Sequence, residues 1–242
     1  MYNHLKSRFL PFVFLLTLGL GLLSQQANAL NIEPLALVLK PSGGGANQTF
    51  RVTNDSSEPI AVQFSITTRQ QQGDKEIRHP ADNQFSIYPQ QTIIPSNTTQ
   101  KIRVKWLGSP TMASEQAYRL ISEQVHVSLK KEQQSGVNML MTMISSLYVR
   151  PAKTKSSLIV KNIQQQGRSL SVTLNNSGTR HQLIKSAVLT LTNNNKTLTL
   201  NEKNLKGLVG NNVLAGATRR FNIPLPKGFA NGQWQGSLSS IK

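Results

Sequence analysis

The sequence predicts an all-β protein made of two β-sandwich domains, and three observations lead there. Apolar residues recur at every second position through most of the chain, the period of a strand with one buried face. Clusters of Gly, Asn, Asp, Ser and Pro separate these runs, as turns do in an antiparallel sandwich. Near the middle, Pro151 follows a long strand-like run. Proline cannot donate to a central ladder, so it suits a strand end or a domain elbow.

Taken in order, residues 1–29 read as a secretory signal. Lys6 and Arg8 precede an apolar run from Phe9 to Leu23, and Ala27-Asn28-Ala29 supplies the small-x-small cleavage pattern. A retained membrane anchor is the alternative, but the run falls short of the roughly 20 residues a spanning helix needs. The first domain is expected over 30–149. Its alternating runs include Thr49–Thr53, Ala61–Ile66 and Lys101–Trp106, the last with Ile102, Val104 and Trp106 on one face and three cations on the other. Gly43-Gly44-Gly45, Asn54-Asp55-Ser56-Ser57, Gly73-Asp74 and Pro95-Ser96-Asn97 mark turns. The second domain, 150–242, resumes the alternation at Ser157–Val160, Ser169–Leu174, Ala187–Leu191, Thr197–Leu200, Phe221–Ile223 and near Trp234.

The composition narrows the function. With no cysteine, an exported chain is held by its core and sheet pairing alone, and thiol chemistry is excluded. The chain carries 27 Lys+Arg against 10 Asp+Glu, but the cations are scattered and the only adjacent pairs are Lys130-Lys131 and Arg219-Arg220. Scattered charge of this kind is a solvated face or a surface for acidic partners, and no nucleic-acid partner is expected. His4 leaves with the signal, and His79, His126 and His181 lack partners at metal-ligand spacing, so no metal or cofactor is expected and each reads as a surface or turn residue. Without a nucleophile elbow or P-loop, and with few carboxylates to pair, neither an enzyme nor a small-molecule substrate is expected.

Residues 137–149 form the longest strand-like stretch. If extended, Val137, Met139, Met141 and Met143 share one face, with Leu140, Ile144 and Tyr148 on the other. A central strand buried on both faces would account for the run. The alternate methionines also suit a soft ridge that accepts varied partners, as a strand-donating edge would need.

At this point the chain resembles a family, the PapD-like periplasmic chaperones of the chaperone–usher pilus pathway. The resemblance rests on Val52-Thr53-Asn54 leading to Pro59, on Phe85-Ser86-Ile87-Tyr88-Pro89, on Ile102-Arg103-Val104, on Tyr118-Arg119-Leu120, and on Leu147-Tyr148-Val149-Arg150-Pro151. It implies a boomerang of two immunoglobulin-like domains in the periplasm that binds pilus subunits and delivers them to an outer-membrane usher. The first domain would lend the strand before the elbow to an incomplete subunit, with Val137, Met139, Met141 and Met143 filling the subunit's groove. Best-known members grip the subunit's terminal carboxylate with an arginine on the first strand and a lysine on the donor strand. Here the lysine position is Ser146, and Leu35–Leu39 holds no arginine. This departure resembles the archaic branch, and the anchor is expected at Arg119, with Lys105 second. A structural pilus or adhesion subunit and an exported carbohydrate-binding sandwich are the competing readings.

Overall fold

The computed structural model describes residues 30–126, 140–193, 196–226 and 232–239. The first half of the chain forms β1 (Leu30–Glu33), β2 (Ala36–Leu39), β3 (Asn47–Asn54), β4 (Ile60–Thr68), β5 (Gln70–Gly73), β6 (Lys75–Ile77), β7 (Phe85–Tyr88), β8 (Gln91–Ile94), β9 (Thr98–Trp106), β10 (Gln116–Val125) and β11 (Thr142–Val149). The second half forms β12 (Leu158–Gln166), β13 (Ser169–Asn176), β14 (Gln182–Leu183), β15 (Val188–Asn193), β16 (Lys196–Leu200), β17 (Asn212–Val213), β18 (Thr218–Pro224) and β19 (Gln235–Ser239).

Two sheets enclose the first core. One has the order β1-β3-β9-β7 and the other β2-β11-β10-β4-β8. The chain crosses from one sheet to the other within a few residues, between β1 and β2. Alternation decides what is inside: Ile102, Val104 and Trp106 of β9 are buried, while Lys101, Arg103 and Lys105 between them are exposed. Phe50, Phe64, Ile66, Leu120 and Leu147 fill the space between the layers. Phe85 meets Trp106 and Tyr118 edge-on, at ring-centroid distances of 5.0 and 4.8 Å, which fastens the two sheets to each other. The turn after β3 is closed from within by buried Asn54. Its amide nitrogen donates to the carbonyls of Glu58, Ile94 and Pro95, and its oxygen accepts from Ser56.

A second core gathers Leu170, Val172 and Leu174 of β13, Leu189 and Leu191 of β15, and Phe221 and Ile223 of β18. Its sheets are β12-β13-β18-β5-β6, β16-β15-β19 and the short pair β14-β17. The first of these borrows the β5–β6 hairpin from the first half of the chain. β5 pairs in parallel with β18, Gln72 beside Thr218 and Gly73 beside Arg219. Gln71 strengthens the junction: its amide donates to the Asn212 carbonyl and its oxygen accepts from the Leu214 amide. The Gly73-Asp74 turn is thus the tip of a hairpin that ties the two halves together.

Candidate functional site: an open strand edge beside an arginine cluster

β11 is paired along its whole length on one side and along half of it on the other. β10 runs antiparallel to it from Thr142 to Val149, whereas β2 lies parallel to it only from Ser146 onward. The Gln124 amide donates to the Met141 carbonyl, and the Ser146 amide donates to the Leu35 carbonyl. Backbone groups alternate along a strand, so odd-numbered residues of β11 bond to β10 and even-numbered ones face the other way. The N–H and C=O of Thr142 and Ile144 therefore face an edge that β2 does not reach. Among the described residues nothing pairs with this edge, and such an edge is a template for another chain.

The side chains sort by the same period. Met141 and Met143 are half-buried and pack against the first core, in line with buried Ser145, Leu147 and Val149. Leu140 and Ile144 are exposed on the opposite face, at 52% and 40%. The methionine ridge thus looks into the open end of the sandwich. A chain added to the edge of β11 would extend this interior. Val137 and Met139, the other two donor residues expected from sequence, lie outside the described residues.

Where the open edge ends, Arg119 stands opposite Ser146 in the β10–β11 ladder. Its Nη1 donates to Ser146 Oγ at 2.8 Å, and its Nε and Nη2 donate to the two oxygens of Glu76 at 3.0 and 2.7 Å. Arg69 Nε and Arg78 Nε each donate to the same carboxylate at 2.7 Å. Arg69 also donates to the Tyr148 hydroxyl and to Asn212 Oδ1, so the cluster sits where the two halves meet. Burial would raise the Glu76 carboxyl, but the Arg119 hydrogen bond, the Arg69 charge and the bonds from Arg69 and Arg78 outweigh it and hold it at about 2. Arg219 borders the cluster from β18, with its guanidinium 4.8 Å from the centre of the Phe221 ring. Its pKa is lowered, by burial first and then by the charge of Arg69.

Lys105 is elsewhere. It lies on β9, exposed on the outer face of the four-stranded sheet between Asn47 and Ser86, whereas Arg119 belongs to the other layer. Lys105, the second choice for the anchor, is thus apart from Arg119, the first choice, whose neighbours are Arg69, Arg78 and Ser146. Sequence reasoning missed Arg69, Arg78 and Glu76 because they sit on and beside a glutamine-rich hairpin with no apolar rhythm.

The profile of the pili and flagellar-assembly chaperones, PapD N-terminal domain, matches residues 29–155. The chain belongs to this family. Its members are chaperones of pilus assembly and not enzymes, which sets aside the readings as a pilus subunit or a carbohydrate-binding module. No curated protein sequence matches the chaperone significantly. Among solved structures, the class 5 fimbriae chaperone CfaA shares 16% identity with a TM-score of 0.55, over 88% of this chain and 100% of its own. The pre-assembly complex of CsuC with the tip subunit CsuE, from the archaic Csu pili of Acinetobacter baumannii, matches at 16% identity and a TM-score of 0.55, over 80% and 89%. The Salmonella enterica complex of SafA pilin with the SafB chaperone matches at 17% identity and 0.54, over 83% and 86%. At such identities these likenesses show the fold, two immunoglobulin-like sandwiches.

One histidine of the chaperone departs from the sequence reading. His181 is no surface or turn residue: its Nδ1 lies 2.6 Å from Glu115 Oε1, and its ring stacks on Tyr148 at 4.1 Å. Arg150 bonds the other oxygen of Glu115. Burial would raise the Glu115 carboxyl, but the hydrogen bond and charge of His181 and the Arg150 bond keep it below its ordinary value. This pair is a further tie between the two halves. Among the described residues, no group of three or more His, Cys, Asp or Glu gathers as a metal site would.

Proposed function

We propose that the chaperone works in the periplasm and captures incomplete pilus subunits by donating β11, in the manner of donor-strand complementation, before an outer-membrane usher receives them. Residues 1–29 would be removed as a signal. Residues 30–149 would form the donating domain and 150–242 the second domain. Val137, Met139, Met141 and Met143 would fill the subunit's groove, each burial stabilising the complex by roughly 1.5–3 kcal/mol. The partners named for the Csu and Saf complexes, a tip subunit and a pilin, are of the class this reading assigns here.

The observation that carries the reading is where the open edge stops. β2 occupies that edge from Ser146 onward, so an added strand has to end there. A strand that ends in a carboxylate beside Arg119 and Ser146 would run parallel to β11. The cation then fixes the register, which a one-residue slip would invert. The absence of the usual lysine and first-strand arginine, with Arg119 in their stead, favours the archaic branch.

The test is co-expression with candidate pilus subunits, followed by capture from periplasmic extract. Wild-type chaperone beginning at Leu30 should bring a subunit with it. Met139→Asp with Met141→Asp should remain folded and bring none, because an unpaired charge in an apolar groove costs several kcal/mol. Undiminished capture by the folded double variant contradicts strand donation.

A further inference from the structure

Arg119 is held from two sides. Glu76 holds its Nε edge through two hydrogen bonds, and Ser146 accepts a third from Nη1. One N–H on each terminal nitrogen is left without a partner among the described residues. The Ser146 hydroxyl accepts from Arg119, so its own hydrogen remains to be donated. These groups point to a second acceptor at the end of the open edge. The charges agree with this. Arg69, Arg78 and Arg119 surround one carboxylate, and Arg219 adds a fourth cation at the border. A second carboxylate would reduce this excess. Evicting Glu76 to make room would instead strand a carboxylate that is only 21% exposed and bound by three guanidinium groups.

We propose that Glu76 is the positioning residue of the carboxylate anchor. It fixes the Arg119 guanidinium by one edge, so that the remaining N–H groups and the Ser146 hydroxyl take the subunit's terminal carboxylate, and it stays in place when they do. The inference rests on the reading of Arg119 as the anchor. It assigns the hairpin β5–β6 a part in subunit recognition beyond joining the two halves. A neutral amide at position 76 offers donors to donors, and it cannot hold three guanidinium groups together.

The experiment uses the full-length chaperone and the subunit that co-purifies with it, in two forms. One has its own C terminus. The other carries one added glycine, which moves the carboxylate about 3.3 Å along the strand. Wild type should capture the first form at least about tenfold better, the size of effect a charged hydrogen bond supports. Glu76→Gln should erase that preference while circular dichroism stays native. Retention of the full preference by Glu76→Gln, or an equal loss for both subunit forms with the preference intact, overturns the proposal. Glu76→Asp covers the case in which the amide variant does not fold. It keeps the charge one methylene short, and positioning predicts a preference between wild type and none, whereas an unchanged preference again overturns the proposal. Arg119→Ala is the control on the underlying reading. If it keeps the preference, the anchor lies elsewhere, whichever way the Glu76 variants behave.

Discussion

At the scale of single residues, Glu76 concentrates the electrostatics of the cleft. Its folded pKa of about 2 lies below the ordinary 4.5 of a free glutamate, so it binds its proton more weakly in the folded state than in the unfolded one. Stability from this group is therefore complete above about pH 4.5 and is lost as pH falls toward 2. The shift corresponds to about 3 kcal/mol in all. Acid titration followed by circular dichroism should show wild type losing stability across this window. Glu76→Gln should lose distinctly less there, and identical acid profiles would mean that the arginines do not hold this carboxylate. None of this partnership was legible in the sequence. Arg119 lies 43 positions from Glu76 and only the sheet brings them together, while Arg69 is seven positions away across a hairpin that shows no apolar rhythm. His181 was missed for the same reason, since its partner Glu115 lies 66 positions away. The face of Met141 and Met143, by contrast, followed from period two alone, because a strand's direction fixes which side chains share a side.

At the scale of elements, β11 differs on its two edges, and proline can tell them apart. The Ile144 N–H faces the open edge, so Ile144→Pro removes no bond to β10. The Met143 N–H faces β10, so Met143→Pro breaks the ladder at its middle. Ile144→Pro should leave the midpoint of thermal unfolding within a few degrees of wild type and abolish subunit capture. Met143→Pro should lower the midpoint strongly. Normal capture by Ile144→Pro would show that the added strand does not pair there. β9 was the easiest element to read, since three cations alternate with Ile102, Val104 and Trp106. The β5–β6 hairpin was the hardest. Gln70, Gln71 and Gln72 carry no apolar signal, and the bonds that order them come from Thr218, Asn212 and Leu214 in the other half of the chain.

At the scale of the whole molecule, two cores with no shared residues are joined, among the described residues, through the β5–β18 pairing and the bonds of Gln71, the contacts of Arg69 with Tyr148 and Asn212, the link from Arg150 through Glu115 to His181, and the Glu115 amide bonded to the Thr179 carbonyl. These ties place the arginine cluster and the open edge of β11 side by side, so one incoming strand would meet the apolar ridge and the cation together. The proposed function requires a subunit strand to pair with that edge. Hydrogen exchange of the Thr142 and Ile144 amides, measured on the free chaperone and on the purified chaperone–subunit complex, tests it most directly. Fast exchange is expected at both amides in the free protein and strong protection in the complex, with little change at Met143, which is already bonded to β10. Fast exchange at Thr142 and Ile144 in the intact complex would contradict it.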